Sequence, residues 1–154
     1  MKNAGKMQRS TIKPKTCNMK LNPYLNFGGN AEEALNFYKE ALEGDIVVLN
    51  RYGESPMPSD DDYKQKIIHA RLHFGDDNLI MVSDVMKGHT ITTNGNIQLS
   101  LGFHDEEKTN RIFENLAKGG KISMPLAKQF WGDVFGMLQD KFGVHWMLNC
   151  QTKK

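Results

Sequence analysis

The chain has 154 residues, with 20 basic and 18 acidic side chains. That length allows one domain to bury its own core without disulfides or a structural metal. Residues 1–18 hold five basic and no acidic residues, so the rest of the chain has a net charge of −3. This balance argues against nucleic acid as a partner, since such binding needs a clustered basic face.

The opening stretch MKNAGKMQRSTIKPKTCN has no apolar segment typical of a secretory signal, and no apolar run in the chain reaches the length that spans a bilayer. We therefore expect a cytoplasmic protein with no membrane partner. Residues 1–18 are predicted to be a disordered basic extension, and 19–154 a single domain. Cys17 and Cys150 have no metal-binding or redox spacing and are expected to be reduced thiols.

A helix pattern occurs twice. Residues 30–44 have Asn30 at the N-cap position, Glu33 three residues later as in a capping box, and Gly44 as the stop. Residues 105–119 repeat this plan, beginning with an aspartate and ending with a glycine. Two equivalent amphipathic helices are therefore predicted.

Each helix follows one strand-like run and precedes three more, which gives the order β-α-β-β-β twice. We call residues 19–85 module one and residues 96–150 module two, joined by a crossover over 84–95. The predicted strands are 21–27, 45–52, 66–74 and 78–83 in module one, and 96–103, 121–126, 133–139 and 144–149 in module two.

Side chains alternate between the two faces of a strand, so each run divides into an apolar and a polar set. The apolar set should pack beneath the helices, because burial of a large aliphatic side chain contributes ~1.5–3 kcal/mol. The polar set either faces solvent or encloses a cleft between the modules. Its members are Asn22, Tyr24, Asn26, His69, Arg71, His73, Asn96, Gln98, Ser100, His145, Met147 and Asn149.

Three stretches, in this order, resemble the vicinal oxygen chelate superfamily of glyoxalase I, bleomycin-resistance proteins and extradiol dioxygenases. They are PYLNFGGNAEEALNFYKEAL (23–42), SPMPSDDDYKQKIIHARLHFGD (55–76) and FWGDVFGMLQDKFGVHWMLN (130–149). Within it the chain is similar to the PhnB-like, 3-demethylubiquinone 3-methyltransferase-like subgroup. The resemblance implies an α+β fold in which two tandem βαβββ modules form an incomplete mixed-sheet barrel, with helices outside, the ligand site inside, and a homodimer.

In metal-bearing members of this superfamily, four strand positions supply His, Glu or Gln ligands to a divalent cation. Alignment of the two repeats places these positions at Asn22, Met81, Gln98 and Met147. Neutral amides and thioethers compensate poorly for dehydration of such an ion. We therefore predict no metal at these positions. No cofactor is expected either, because the Gly28-Gly29-Asn30 stretch is interpreted as a turn and helix cap.

A displaced metal site is the alternative. His69 and His73 are two residues apart in a predicted strand and so share a face, which His145 would approach. With a metal there, the protein would be a glyoxalase-like isomerase or lyase.

We predict that the polar set lines a cleft that binds an unidentified small apolar or aromatic molecule, because aromatic and Met walls with a few polar anchors are typical of such pockets. No catalytic residue is assigned, and enzymatic activity is left open. A third possibility is a structural protein whose dimerisation buries the cleft. The predicted cleft residues are Tyr24, Asn26, His69, Arg71, Gln98, Trp131, Asp133, Phe135 and His145.

Overall fold

A computed structural model describes residues 19–92 and 95–152, so the predicted extension over 1–18 lies outside the described residues. Within these ranges the elements follow the predicted order. They are β1 (Tyr24–Phe27), α1 (Ala31–Ala41), β2 (Asp45–Arg51), a short 3-10 turn (Tyr52–Glu54), β3 (Ile67–Phe74), β4 (Asn78–Asp84), β5 (Leu99–Phe103), α2 (Glu106–Ala117), β6 (Lys121–Lys128), β7 (Val134–Gln139) and β8 (His145–Cys150).

The strands form two four-stranded sheets with equivalent topology, β1-β4-β3-β2 and β5-β8-β7-β6. In each sheet the first strand is parallel to the fourth, and the remaining neighbours are antiparallel. This confirms the duplicated βαβββ plan and the mixed sheets. The two sheets are not closed into a barrel. In the part of the chain that the structure describes, no helix is long and apolar enough to cross a membrane.

The first strand of each module is shorter than predicted, beginning at Tyr24 and at Leu99. Leu21 and Ile97, which the alternation placed in the core, are 98% and 75% exposed. That part of the prediction is wrong because both residues precede their strands, where strand alternation no longer fixes the direction of a side chain. Pro23 contributes to the late start of β1, since it has no N–H for a strand ladder.

One hydrophobic core joins the two modules, because α1 and α2 cover the apolar faces of the sheets and pack against each other. Within the strands, most residues of the predicted apolar set are buried in this core or pack against it, as expected. The core includes Leu35, Tyr38, Ala70, Leu72 and Val82 of module one, and Ile112, Phe113, Leu116, Leu138, Trp146 and Leu148 of module two.

The N-terminus of α1 is capped from β4 rather than by its own cap residue. Asn30 makes no side-chain capping bond. Instead, Oδ1 of Asp84 accepts hydrogen bonds from the backbone N–H groups of Gly29 and Ala31 at 2.8 and 2.9 Å, and Oδ2 accepts from Ile67 N–H at 2.9 Å. A buried carboxylate thus ties the helix to β3 and β4, in the orientation that the helix dipole favours.

The other helix ends follow the sequence more closely. Asp105 caps α2 by accepting the backbone N–H three residues later at 3.0 Å, and Gly119 follows the helix with φ +71°. After α1, Glu43 rather than Gly44 has the positive φ, at 55°. Gly44 is needed for close packing, because a Cβ there would lie 2.5 Å from the carbonyl oxygen of His73.

The carboxylate of Asp140 connects the modules. Its Oδ2 accepts hydrogen bonds from Tyr38 Oη of α1 at 2.6 Å and from Trp146 Nε1 of β8 at 2.9 Å. Its Oδ1 accepts from the N–H groups of Phe142 and Val144 in the β7–β8 turn at 2.9 and 3.0 Å. Burial, reinforced by the neighbouring carboxylate, raises the pKa of Tyr38, so its hydroxyl keeps the proton that it donates.

Replacement of Asp84 by alanine is expected to lower the free energy of unfolding by about 3 kcal/mol or more, because three N–H groups lose their acceptor and each unsatisfied buried group costs about 1–3 kcal/mol. The matched control is Asp105→Ala, which removes an exposed cap and should cost about 1 kcal/mol. Urea unfolding followed by circular dichroism measures both. Equal losses would contradict the structural role given to Asp84.

Candidate functional site

A cavity of about 590 Å³ lies between the modules, bounded by β1, the beginnings of β5 and β8, and parts of the crossover. Its volume is within the range of small-molecule sites. Three of the predicted cleft residues line it: Tyr24 and Asn26 of β1 and His145 of β8. The structure therefore brings predicted residues from both modules to one cavity.

The wall of this cavity is mixed in character. Apolar and aromatic side chains supply much of it, and amides and an imidazole supply polar groups. The sequence reasoning missed Asn30, which it assigned to a helix cap, and Phe142, which it assigned to a turn. The apolar part comprises Leu25, Phe27, Ile91, Ile97, Leu99, Phe142 and Val144.

Two more predicted cleft residues connect to the cavity through Tyr24. Its hydroxyl lies 2.9 Å from Nδ1 of His69, and Nε of Arg71 donates a hydrogen bond to Nε2 of His69 at 3.2 Å. Tyr24 and Arg71 are both cross-strand neighbours of Met81 on β4, so Tyr24, Met81 and Arg71 lie in one row on the same face of the sheet. His69 hydrogen-bonds to the two ends of this row. We call Tyr24, His69 and Arg71 the rim cluster.

The contacts of His69 determine its tautomer. Nε2 accepts a hydrogen bond from Nε–H of Arg71, so the neutral ring carries its own hydrogen on Nδ1 and donates a hydrogen bond to the oxygen of Tyr24. Burial, together with the charge of Arg71, lowers the pKa of His69 below its usual value of 6.5. The lowered pKa favours the neutral ring, and both of its nitrogens are engaged.

The remaining predicted cleft residues lie elsewhere. Gln98 lines a second cavity of about 230 Å³ between the modules, together with Asn22. Trp131 packs against Phe135 with ring centroids 6.0 Å apart, and Asp133 accepts a hydrogen bond from the Asn149 amide at 3.0 Å. These three residues line neither cavity. They form a separate group beside the polar face of the second sheet.

The four positions aligned with the family's metal ligands do not form a donor set suited to a divalent cation. Met81 pairs with Tyr24 across β1 and β4, and Met147 pairs with Ser100 at the equivalent place in module two. Asn22 and Gln98 precede β1 and β5. Amides and thioethers are poor ligands for such an ion. Over residues 19–92 and 95–152, no group of three His, Cys, Asp or Glu side chains is placed to hold a metal.

A family model and two solved structures relate this chain to the same group of proteins. The model of the 3-demethylubiquinone-9 3-methyltransferase family matches residues 19–149. The crystal structure of protein PA1353 from Pseudomonas aeruginosa is 38% identical, with a TM-score of 0.79 over 88% of this chain and 99% of that one. The PhnB protein from Bacillus cereus is 32% identical, with a TM-score of 0.72 over 86% of this chain and 100% of that one.

A more distant likeness concerns the fold alone. A glyoxylase/bleomycin resistance protein/dioxygenase domain from Frankia sp. EAN1pec is 13% identical, with a TM-score of 0.64 over 88% of this chain and 98% of that one. The paired modules are therefore of the glyoxalase-like type.

His69 is expected to titrate below pH 6.5, and Arg71→Gln should raise its pKa because the repelling charge is removed while burial remains. The unfolded chain binds this proton more readily, so the contribution of His69 to stability is complete above pH 6.5 and is lost as the pH falls through its lowered pKa. NMR titration of the imidazole Cε1–H measures the pKa. The control is Arg111→Gln on α2. A wild-type pKa at or above 6.5 would contradict the described contacts.

Proposed function

The chain belongs to the PhnB-like 3-demethylubiquinone-9 3-methyltransferase family of the vicinal oxygen chelate superfamily, and from this premise we propose that it binds a small apolar or aromatic molecule between its modules, without a metal ion. The observation that carries the proposal is the 590 Å³ cavity, which both modules line. Phe142 and Leu99 offer contact to an apolar ligand, while Asn26 and His145 offer hydrogen bonds that would orient it.

The position of Phe142 supports an ordered cavity wall. Its ring packs edge-on against Phe27 at 5.9 Å between centroids and against Phe37 at 5.5 Å. Its backbone N–H is held by Asp140. A ligand would therefore meet a wall that is already in place, which reduces the entropy lost on binding.

The chemistry of the histidines supports binding without a metal. Both ring nitrogens of His69 are used by Tyr24 and Arg71, and the guanidinium beside it opposes the approach of a cation. His73 lies at the end of β3, opposite Asp45, while His145 is on the other module beside Gly95. A displaced metal site would require these groups to rearrange.

The family's description names a methyltransferase, but the Gly28-Gly29-Asn30 turn before α1 does not offer a site for the methyl-donor cofactor. S-adenosylmethionine commonly binds at a glycine-rich turn before a helix N-terminus. Here the N–H groups of Gly29 and Ala31 in that position already bind the Asp84 carboxylate. Ligand binding in the cavity is therefore proposed in place of methyl transfer.

A homodimer remains part of the proposal. It is supported by the family resemblance and by exposed apolar side chains on the strands at the sheet edges, since exposed apolar surface commonly marks an interaction site. These are Val47 on β2 (53% exposed) and Ile122 and Met124 on β6 (47% and 40%).

A thermal-shift screen of aromatic compounds tests the proposal. A ligand at one hundred times its dissociation constant stabilises a protein by about 2.7 kcal/mol, which raises Tm by roughly 5 °C or more for a chain of this size. Tyr24→Ala should reduce the shift, whereas Phe130→Ala, at a 96% exposed position outside both cavities, should leave it intact.

The same screen with EDTA separates the proposed function from its alternative. We expect the shift to be unaffected by the chelator. A shift that EDTA abolishes would favour the metal-dependent glyoxalase-like isomerase or lyase. A shift that Tyr24→Ala leaves unchanged would place the site away from this cavity.

A further inference from the structure

We propose that the rim cluster of Tyr24, His69 and Arg71 is an oxyanion-binding site that takes a carboxylate or phosphoryl group of the ligand. The inference rests on the proposed function, because the cavity beside Tyr24 would hold the rest of the same molecule. It adds a charge requirement to a site otherwise described as apolar and aromatic.

Arg71 has no carboxylate partner among the described residues, which distinguishes it from the other described arginines. Arg51 and Arg111 each form an ion pair with a glutamate, with N–O distances of 2.7 and 2.5 Å. The side chain of Arg71 makes its hydrogen bond to His69 through Nε. Its two terminal nitrogens, Nη1 and Nη2, are therefore left for another acceptor.

On the polar face of the first sheet, Arg71 has no acidic cross-strand neighbour, since it pairs with Val48 and Met81. The register of β1 to β4 defines which side chains share this face, and Asp45 is the acidic residue among them. Asp45 lies opposite His73, near the C-terminal end of β3, whereas His69 is near the N-terminal end of that strand. No carboxylate on this face therefore neutralises Arg71 in the described strands. The face consists of Tyr24, Asn26, Asp45, Val48, Asn50, His69, Arg71, His73, Leu79, Met81 and Ser83.

The tautomer of His69 makes a second donor available. Because Nδ1–H donates to the Tyr24 oxygen, the hydroxyl proton of Tyr24 is not used within the cluster. Tyr24 and Arg71 lie on either side of His69 and of Met81. The O–H of Tyr24 and the terminal nitrogens of Arg71 are thus both available to a bound ligand.

The terminal nitrogens of Arg71 suit an oxyanion in geometry as well as in charge. Two parallel N–H groups of a guanidinium match two oxygens of a carboxylate or phosphoryl group, and such charge-assisted bonds are stronger than neutral ones. A hydroxyl donor from the cavity side would bind one of these oxygens. Since Tyr24 also lines the cavity, the body of a bound molecule would extend from the anionic group toward Phe142.

Calorimetric titration of the full chain with three probes tests the inference. Benzoate and phenyl phosphate carry the two candidate oxyanions on an aromatic ring, and benzyl alcohol is their neutral counterpart. At least one anion should bind ten times more tightly than benzyl alcohol. The stronger of the two anions identifies the group that the site prefers.

Arg71→Gln should remove this tenfold advantage while leaving the affinity for benzyl alcohol unchanged, and Tyr24→Phe should reduce it severalfold while keeping the aromatic ring. Arg111→Gln is the matched control for net charge and should preserve the advantage. Equal binding of anionic and neutral probes, or an advantage that survives in Arg71→Gln, would overturn the inference but leave the proposed cavity intact. Failure of all three probes to bind would count against both.

Discussion

The two modules depend on one buried carboxylate. Asp140 is 3% exposed and accepts hydrogen bonds from a side chain on α1, from the indole of β8 and from two amides of the β7–β8 turn. The same turn contributes Phe142 and Val144 to the cavity wall. This link between the modules therefore also fixes one side of the candidate site, because the turn cannot move without breaking the hydrogen bonds of Asp140.

The repeated architecture determines which side chains are left for binding. In both sheets the helices cover the apolar face. The opposite face is therefore left for side chains that could bind a ligand. Module one places Tyr24, His69 and Arg71 there, while module two places Met137, Met147 and Asn149 at its corresponding face. The duplicated halves are thus alike in backbone and different in the side chains of their polar faces. Both modules contribute polar side chains to the cavity, Tyr24 and Asn26 from one and Asn96 and His145 from the other.

Much of the fold could be predicted from sequence, because helix periodicity, strand alternation and the Asp105 cap are local properties. Asp84 and Asp140 could not, since their partners are up to 102 residues away in the chain and each aspartate resembles an ordinary loop or strand-end residue. The site was predictable in part. The alternation of side chains along the strands indicated Tyr24 and His145, but it could not show where the cavities lie, and Trp131 lines neither of them.

Urea unfolding of Asp140→Ala, beside Asp133→Ala as a control, tests most directly whether this carboxylate joins the modules. Removal of Asp140 leaves the buried Tyr38 hydroxyl and Trp146 indole N–H without an acceptor, and the predicted loss is about 3 kcal/mol or more. Asp133 accepts one side-chain bond, from Asn149, and its replacement should cost about 1 kcal/mol. Similar losses for the two variants would contradict the account.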